Sequence, residues 1–139
     1  MNKDFVPYEP SLALKELGFD ETCFGSYVKL TETQTTFFMN DVVSKIDRET
    51  PLHESLITKT PTFSQAFRFF REKYNLSFSI SQRKTSGLSY WEIVFIDKFE
   101  NAMHGIPSFH SETKISGISS TYQEGEIDGL KKLIELIKN

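Results

Sequence analysis

Thr62-Phe63-Ser64-Gln65-Ala66-Phe67-Arg68-Phe69-Phe70-Arg71-Glu72-Lys73-Tyr74-Asn75-Leu76-Ser77-Phe78-Ser79-Ile80 decides the fold, because a helical pattern turns into a strand pattern within it. Phe63, Ala66, Phe67, Phe70 and Tyr74 recur at intervals of three and four, which collects them on one helix face. Thr62 and Gln65 have capping-box spacing, and Pro61 disfavours a helical conformation for the residue before it, so the helix starts here. Asn75 tolerates the left-handed backbone that stops a helix. Leu76, Phe78 and Ile80 then alternate with serines, as a strand with one buried face requires. The stretch organises a core and carries no catalytic motif.

Outward from it, 76–82 and 88–97 flank a turn containing Ser86-Gly87 and form a hairpin. The second arm is apolar at nearly every position, with Trp91, Ile93 and Phe95 on one face and Tyr90, Val94 and Ile96 on the other. This predicts a central strand, covered on both sides or with its second face against a partner. Further on, 98–105 reads as a loop, and 106–110 and 114–119 as short strands. The last helix is marked by Thr121 and Glu124 at capping-box spacing and by the stripe Ile127, Leu130, Leu133, Ile134 and Ile137. Gly125 and Gly129 lower its propensity by about 1 kcal/mol each relative to Ala and point to close packing on the sheet.

Towards the N-terminus, Ser11 is placed to cap a short helix carrying Leu12, Ala13, Leu14 and Leu17. Gly18 followed by Phe19 has the pattern of a Schellman stop. A strand at 24–30 and the β-branched, aromatic run 35–39 form a first hairpin. The mixed signals of 40–60 read as an insertion loop with one short element, the kind of segment that often carries recognition. The expected architecture is a single α+β domain over 1–139. It has a short N-terminal helix and an antiparallel sheet of about four to six strands, packed by a central and a C-terminal helix.

A chain of 139 residues is long enough for one domain with a real core. Thirteen phenylalanines against one Trp predict an aromatic-rich core. With 16 Lys and Arg against 19 Asp and Glu the net charge is −3, which excludes the overall basic footprint of a typical nucleic-acid-binding domain. The charge is uneven. Residues 62–84 hold Arg68, Arg71, Lys73, Arg83 and Lys84 against Glu72, a local +4 against −7 for the remainder. Such a face steers a polyanion; it is also what an ordinary solvated surface looks like.

The single Cys23 excludes an internal disulfide and any multi-cysteine zinc site, and suits a reducing compartment. No apolar leader or membrane span is visible, so a cytoplasmic location is expected. His53, His104 and His110 have no metal-ligand spacing among themselves, and His110 with Glu112 is only a fragment of a site. No phosphate-binding glycine loop is present, and nothing near Cys23 builds an oxyanion hole. The acidic pairs Glu124 and Glu126, and Asp20 and Glu21, sit at a helix start and a turn, where the backbone accounts for them. No cofactor, metal or catalytic residue is expected. The candidate binding residues are Arg68, Phe69 and Arg71 on the outer side of the central helix, with Lys73, Arg83 and Lys84. An aromatic flanked by two arginines stacks on a base or plugs a protein pocket; the alternative for Phe69 is burial under the 40–60 segment.

Three stretches together carry a resemblance. They are Phe5-Val6-Pro7-Tyr8-Glu9 running into Leu12-Ala13-Leu14-Lys15-Glu16-Leu17-Gly18-Phe19-Asp20-Glu21-Thr22-Cys23-Phe24-Gly25, then 61–76, then Leu130-Lys131-Lys132-Leu133-Ile134. They resemble a group of small uncharacterised proteins from phages and mobile elements of Bacteroidetes-type bacteria; 31–60 and 98–120 lie outside the likeness. That group carries no established activity, so no catalytic residue is implied. The resemblance implies a context in which small acidic proteins bind and block host enzymes, CRISPR effectors and other defence nucleases among them. The expected partner is therefore a host protein or ribonucleoprotein complex. Direct nucleic-acid binding through the basic helix-hairpin face is the alternative, and no membrane is involved.

Overall fold

Between Thr62 and Ile80 the backbone follows the sequence pattern closely. A helix occupies Phe63–Tyr74, Asn75 adopts φ +57°, and a strand runs from Leu76 to Gln82. The computed structural model describes residues 2–95 and 114–138. The loop expected at 98–105, the strand expected at 106–110, and His104, His110 and Glu112 lie outside the described residues. Contacts divide the chain into two compact units, residues 1–64 and 65–139.

In the first unit, helix α1 (Tyr8–Glu16) starts after Pro7, four residues earlier than a Ser11 cap would place it. Pro10 falls in the first turn, where a backbone N–H has no intrahelical partner to lose. Ser11 is instead buried inside the helix. Its hydroxyl donates to Thr60 Oγ1 at 2.9 Å, and the Thr60 hydroxyl donates to the Val6 carbonyl at 2.6 Å. The other end of α1 matches expectation: Gly18 has φ +94°, and the Phe19 N–H reaches Leu14 O at 2.9 Å, the long bond of a Schellman motif.

Strands β1 (Gly25–Lys29) and β2 (Thr35–Met39) form the first hairpin, and β3 (Ile57–Thr60) pairs with the other side of β1, giving the antiparallel order β2-β1-β3. On one side of this sheet Tyr27 meets Phe37 and Tyr8 edge to face, at 5.6 and 5.5 Å between centroids, and Phe5 tilts against Phe37 at 5.1 Å. The reading of 40–60 as an insertion loop is corrected here. The segment holds helix α2 (Asn40–Glu49), a 3-10 turn (Glu54–Leu56) and β3. Val42, Val43 and Ile46 are too few to announce a helix, yet Val43 is buried and Asn40 fastens its start. The Asn40 amide donates to Cys23 O while its carbonyl oxygen accepts from the Ser26 hydroxyl.

The second unit contains most of α3 (Phe63–Tyr74), the hairpin of β4 (Leu76–Gln82) and β5 (Ser89–Phe95), β6 (Lys114–Ser119) and α4 (Tyr122–Lys138). Its sheet is antiparallel in the order β4-β5-β6, with β5 central as its composition requires. The chain is thus an α+β fold with six antiparallel strands among the described residues, shared between two sheets of three.

One face of the second sheet carries Leu76, Phe78 and Ile80 from β4 with Trp91 and Ile93 from β5, and α4 lies on it. The glycines make this possible. A Cβ at Gly129 would stand 2.0 Å from the Phe78 ring, and one at Gly125 2.5 Å from Ile80 Cδ1. Phe67 of α3 stacks on Phe78 at 4.1 Å on this same side. A polar chain ties the layers together: Trp91 Nε1 donates to Ser119 Oγ at 3.3 Å, and the Ser119 hydroxyl donates to Asp128 at 2.7 Å. The Thr121 hydroxyl accepts from the Glu124 N–H at 3.1 Å, as its capping position predicts.

Candidate interaction surface

Helix α3 presents its cations in two different ways. Successive residues are about 100° apart round the axis, so Phe69 falls only about 60° from Ala66 and belongs to the buried arc. The expectation that Phe69 faces outward is accordingly corrected. It is 9% exposed, with its ring edge-on to Phe70 and Tyr74 at 5.5 and 5.8 Å. Lys73 lies over this aromatic cluster, with Nζ 5.4 Å from both the Phe69 and Tyr74 centroids. It covers apolar surface and places a positive charge in the last turn, where the helix dipole favours it. Arg68 and Arg71 are exposed and face away from the buried arc together with Glu72.

The second surface is the outer face of the β4-β5-β6 sheet. Register puts Ser77, Ser79 and Ser81 of β4, Tyr90, Glu92 and Val94 of β5, and Lys114, Ser116 and Ile118 of β6 on this face, opposite α4. Tyr90 is directly across from Ile118, which is 63% exposed. Glu92 accepts from Lys114 Nζ at 2.9 Å. Arg83 continues β4 past Gln82 on the same side, and its guanidinium carbon stands 4.9 Å from the Tyr90 centroid. Lys84, exposed, opens the turn that Gly87 closes with φ +74°. Ser79, Ser81, Tyr90, Glu92, Lys114 and Ile118 line a shallow depression of about 680 Å³ on this face.

The five cations of 62–84 therefore do not form one patch. Arg68 and Arg71 stand on α3, Lys73 is laid over rings, and Arg83 and Lys84 border the open sheet face. The residues that sequence reasoning missed on that face are Glu92, Lys114 and Ile118. The alternation of serines in β4 marked a solvent side, but which β6 residues join it depends on a strand pairing that no local pattern encodes.

Groups with chemical potential lie elsewhere. Cys23 is buried, its thiol donates to Glu21 O at 3.4 Å, and burial pushes its pKa up to about 11, with Lys59 pulling it down and Glu21 adding to the rise. It is a protonated thiol at neutral pH. His53 is exposed and shares a 2.8 Å hydrogen bond with the Ser55 hydroxyl. Among the described residues no three His, Cys, Asp or Glu converge on a metal position, and no helix is long and apolar enough to cross a membrane. No protein-family model, curated protein or solved structure matches the chain.

Proposed function

We propose that the chain is a non-enzymatic binding protein of phage or mobile-element type. In this reading it inhibits a host defence complex, a CRISPR effector or another nuclease, by contact with the protein or ribonucleoprotein surface, and it works in the cytoplasm. The observation that carries the reading is the placing of arginines on outward surfaces of the second unit, Arg68 and Arg71 on α3 and Arg83 over Tyr90 beside the exposed Ile118. Arginine and tyrosine next to exposed aliphatic carbon is the composition that anchors protein interfaces.

The alternative is a small nucleic-acid-binding protein using Arg68, Arg71, Lys73, Arg83 and Lys84 on phosphates. Two of these cations lie over rings of their own chain, and the total charge is negative, so the protein-contact reading is preferred. Capture from nuclease-treated host lysate, followed by mass spectrometry, tests it with wild type and with Arg68→Glu/Arg71→Glu. The wild type should retain one defence component that the folded double variant loses. Recovery of the same partner by the variant would remove α3 from the contact surface. Affinity for generic RNA or DNA that falls steeply with salt would replace the reading with its alternative.

A further inference from the structure

We propose that the outer face of the β4-β5-β6 sheet is a docking site for an acidic, extended peptide segment of a partner protein, with one apolar side chain seated on Tyr90 and Ile118. The inference rests on the binding-protein reading above and assigns it a second surface and a partner chemistry. Charge carries the argument first. Among the described residues, Arg83, Lys84 and Lys114 border this face against the one carboxylate of Glu92, which Lys114 already holds at 2.9 Å. In a chain of net charge −3 this is a local positive field, and it draws an acidic segment.

The chemistry of the lining specifies the rest. Ser79, Ser81 and Ser116 are exposed and offer hydroxyls that both donate and accept, which suits the polar groups of a peptide. Tyr90 and the 63% exposed Ile118 face each other across the β5-β6 ladder and make an apolar seat on this side. Arg83 holds its guanidinium over the Tyr90 ring, a position from which its N–H groups can meet a carboxylate.

A nucleic acid fits less well. Tyr90 is the only aromatic on this face among the described residues, and Arg83 covers its ring where a base would stack. Glu92 also sits in the middle of the face, in the path of a phosphate backbone.

The experiment titrates the purified chain, followed by amide NMR shifts, with a short peptide alternating Glu and Ser around a central Leu. Controls are its Glu-to-Lys and Leu-to-Gln counterparts and a single-stranded RNA. The expected result is shifts centred on Tyr90, Glu92, Ser116 and Ile118 with the acidic Leu peptide. Arg83→Glu/Lys84→Glu should bind about tenfold more weakly or worse, as reversal of two exposed charges implies. Ile118→Gln, which leaves the charges and the turn untouched, serves as the second variant and should also weaken binding. Equal binding of the Lys peptide, shifts elsewhere in the molecule, or RNA displacing the peptide from this face would overturn the proposal. If the lysate partner is still captured while no acidic peptide binds here, this inference fails and the binding-protein reading stands.

Discussion

Replacing Gly129 with alanine tests how α4 is seated. At an exposed position in a helix interior the change would add about 1 kcal/mol of stability, the difference in helix propensity between the two residues. Here the new Cβ would lie 2.0, 2.6 and 3.0 Å from three carbons of the Phe78 ring. That ring cannot swing aside freely, because Phe67 stacks on it at 4.1 Å and Trp91 stands at 6.4 Å. Overpacking of this kind costs about 3 kcal/mol, so the net loss is about 2 kcal/mol. For a chain of this size the melting temperature falls by about 7 °C. Gly125→Ala is the internal control: its nearest neighbour, at 2.5 Å, is the terminal Ile80 Cδ1, which has rotamer freedom. Strain and propensity then nearly cancel. Thermal melts followed by circular dichroism read both variants. A Gly129→Ala protein as stable as wild type, or more stable, would refute the close approach of α4 to Phe78.

Three further outcomes follow from the same geometry. Cys23 has its pKa pushed up to about 11 in the fold against 9.0 for a free thiol, so the unfolded chain releases its proton first as pH rises. Its contribution to stability is complete below about pH 9, is lost between about 9 and 11, and amounts to about 2 to 3 kcal/mol. Denaturant titrations should show Cys23→Ala with a shallower alkaline loss than wild type. A residual slope from Tyr27, which burial also raises, should remain in both. Thr60→Val should cost only about 1 kcal/mol, because Ser11 Oγ already lies 3.1 Å from Val6 O and takes over the carbonyl. Adding Ser11→Ala strands that carbonyl and should raise the loss to about 2 to 3 kcal/mol in the same titrations; additive single losses would contradict the shared network. Gly117→Ala should destabilise by about 1 to 3 kcal/mol and shift Trp91 emission, since a Cβ there meets the indole at 2.2 Å.

The parts of the fold that could be read from sequence are those fixed by local periodicity and local stops. The α3-to-β4 switch, the Gly18-Phe19 end of α1, the hairpin into β5 and the capped start of α4 all belong here. What escaped reading depended on distant partners. Ser11 resembles a cap until Thr60 and Val6 are brought beside it. Strand β3 buries Thr58 and Thr60, so its inward side carries no apolar alternation to detect. Helix α2 shows only Val42, Val43 and Ile46, and Asn40 holds its start by reaching Cys23 and Ser26 across the sheet. Of the candidate surface, the exposure of Arg68 and Arg71 was legible from helical spacing. Phe69 was not, because the buried arc extends past the stripe that begins at Phe63. The outer sheet face waited on the pairing that sets Tyr90 against Ile118 and brings Lys114 to Glu92.

The most direct test of the central claim is whether the captured complex survives removal of nucleic acid. The purified chain and its partner, treated with both ribonuclease and deoxyribonuclease, would be run on a sizing column with in-line mass measurement. The account predicts a complex that stays intact and is lost only on reversing Arg68 and Arg71, or Arg83 and Lys84. Dissociation on nuclease treatment, or a complex indifferent to both reversals, would contradict it.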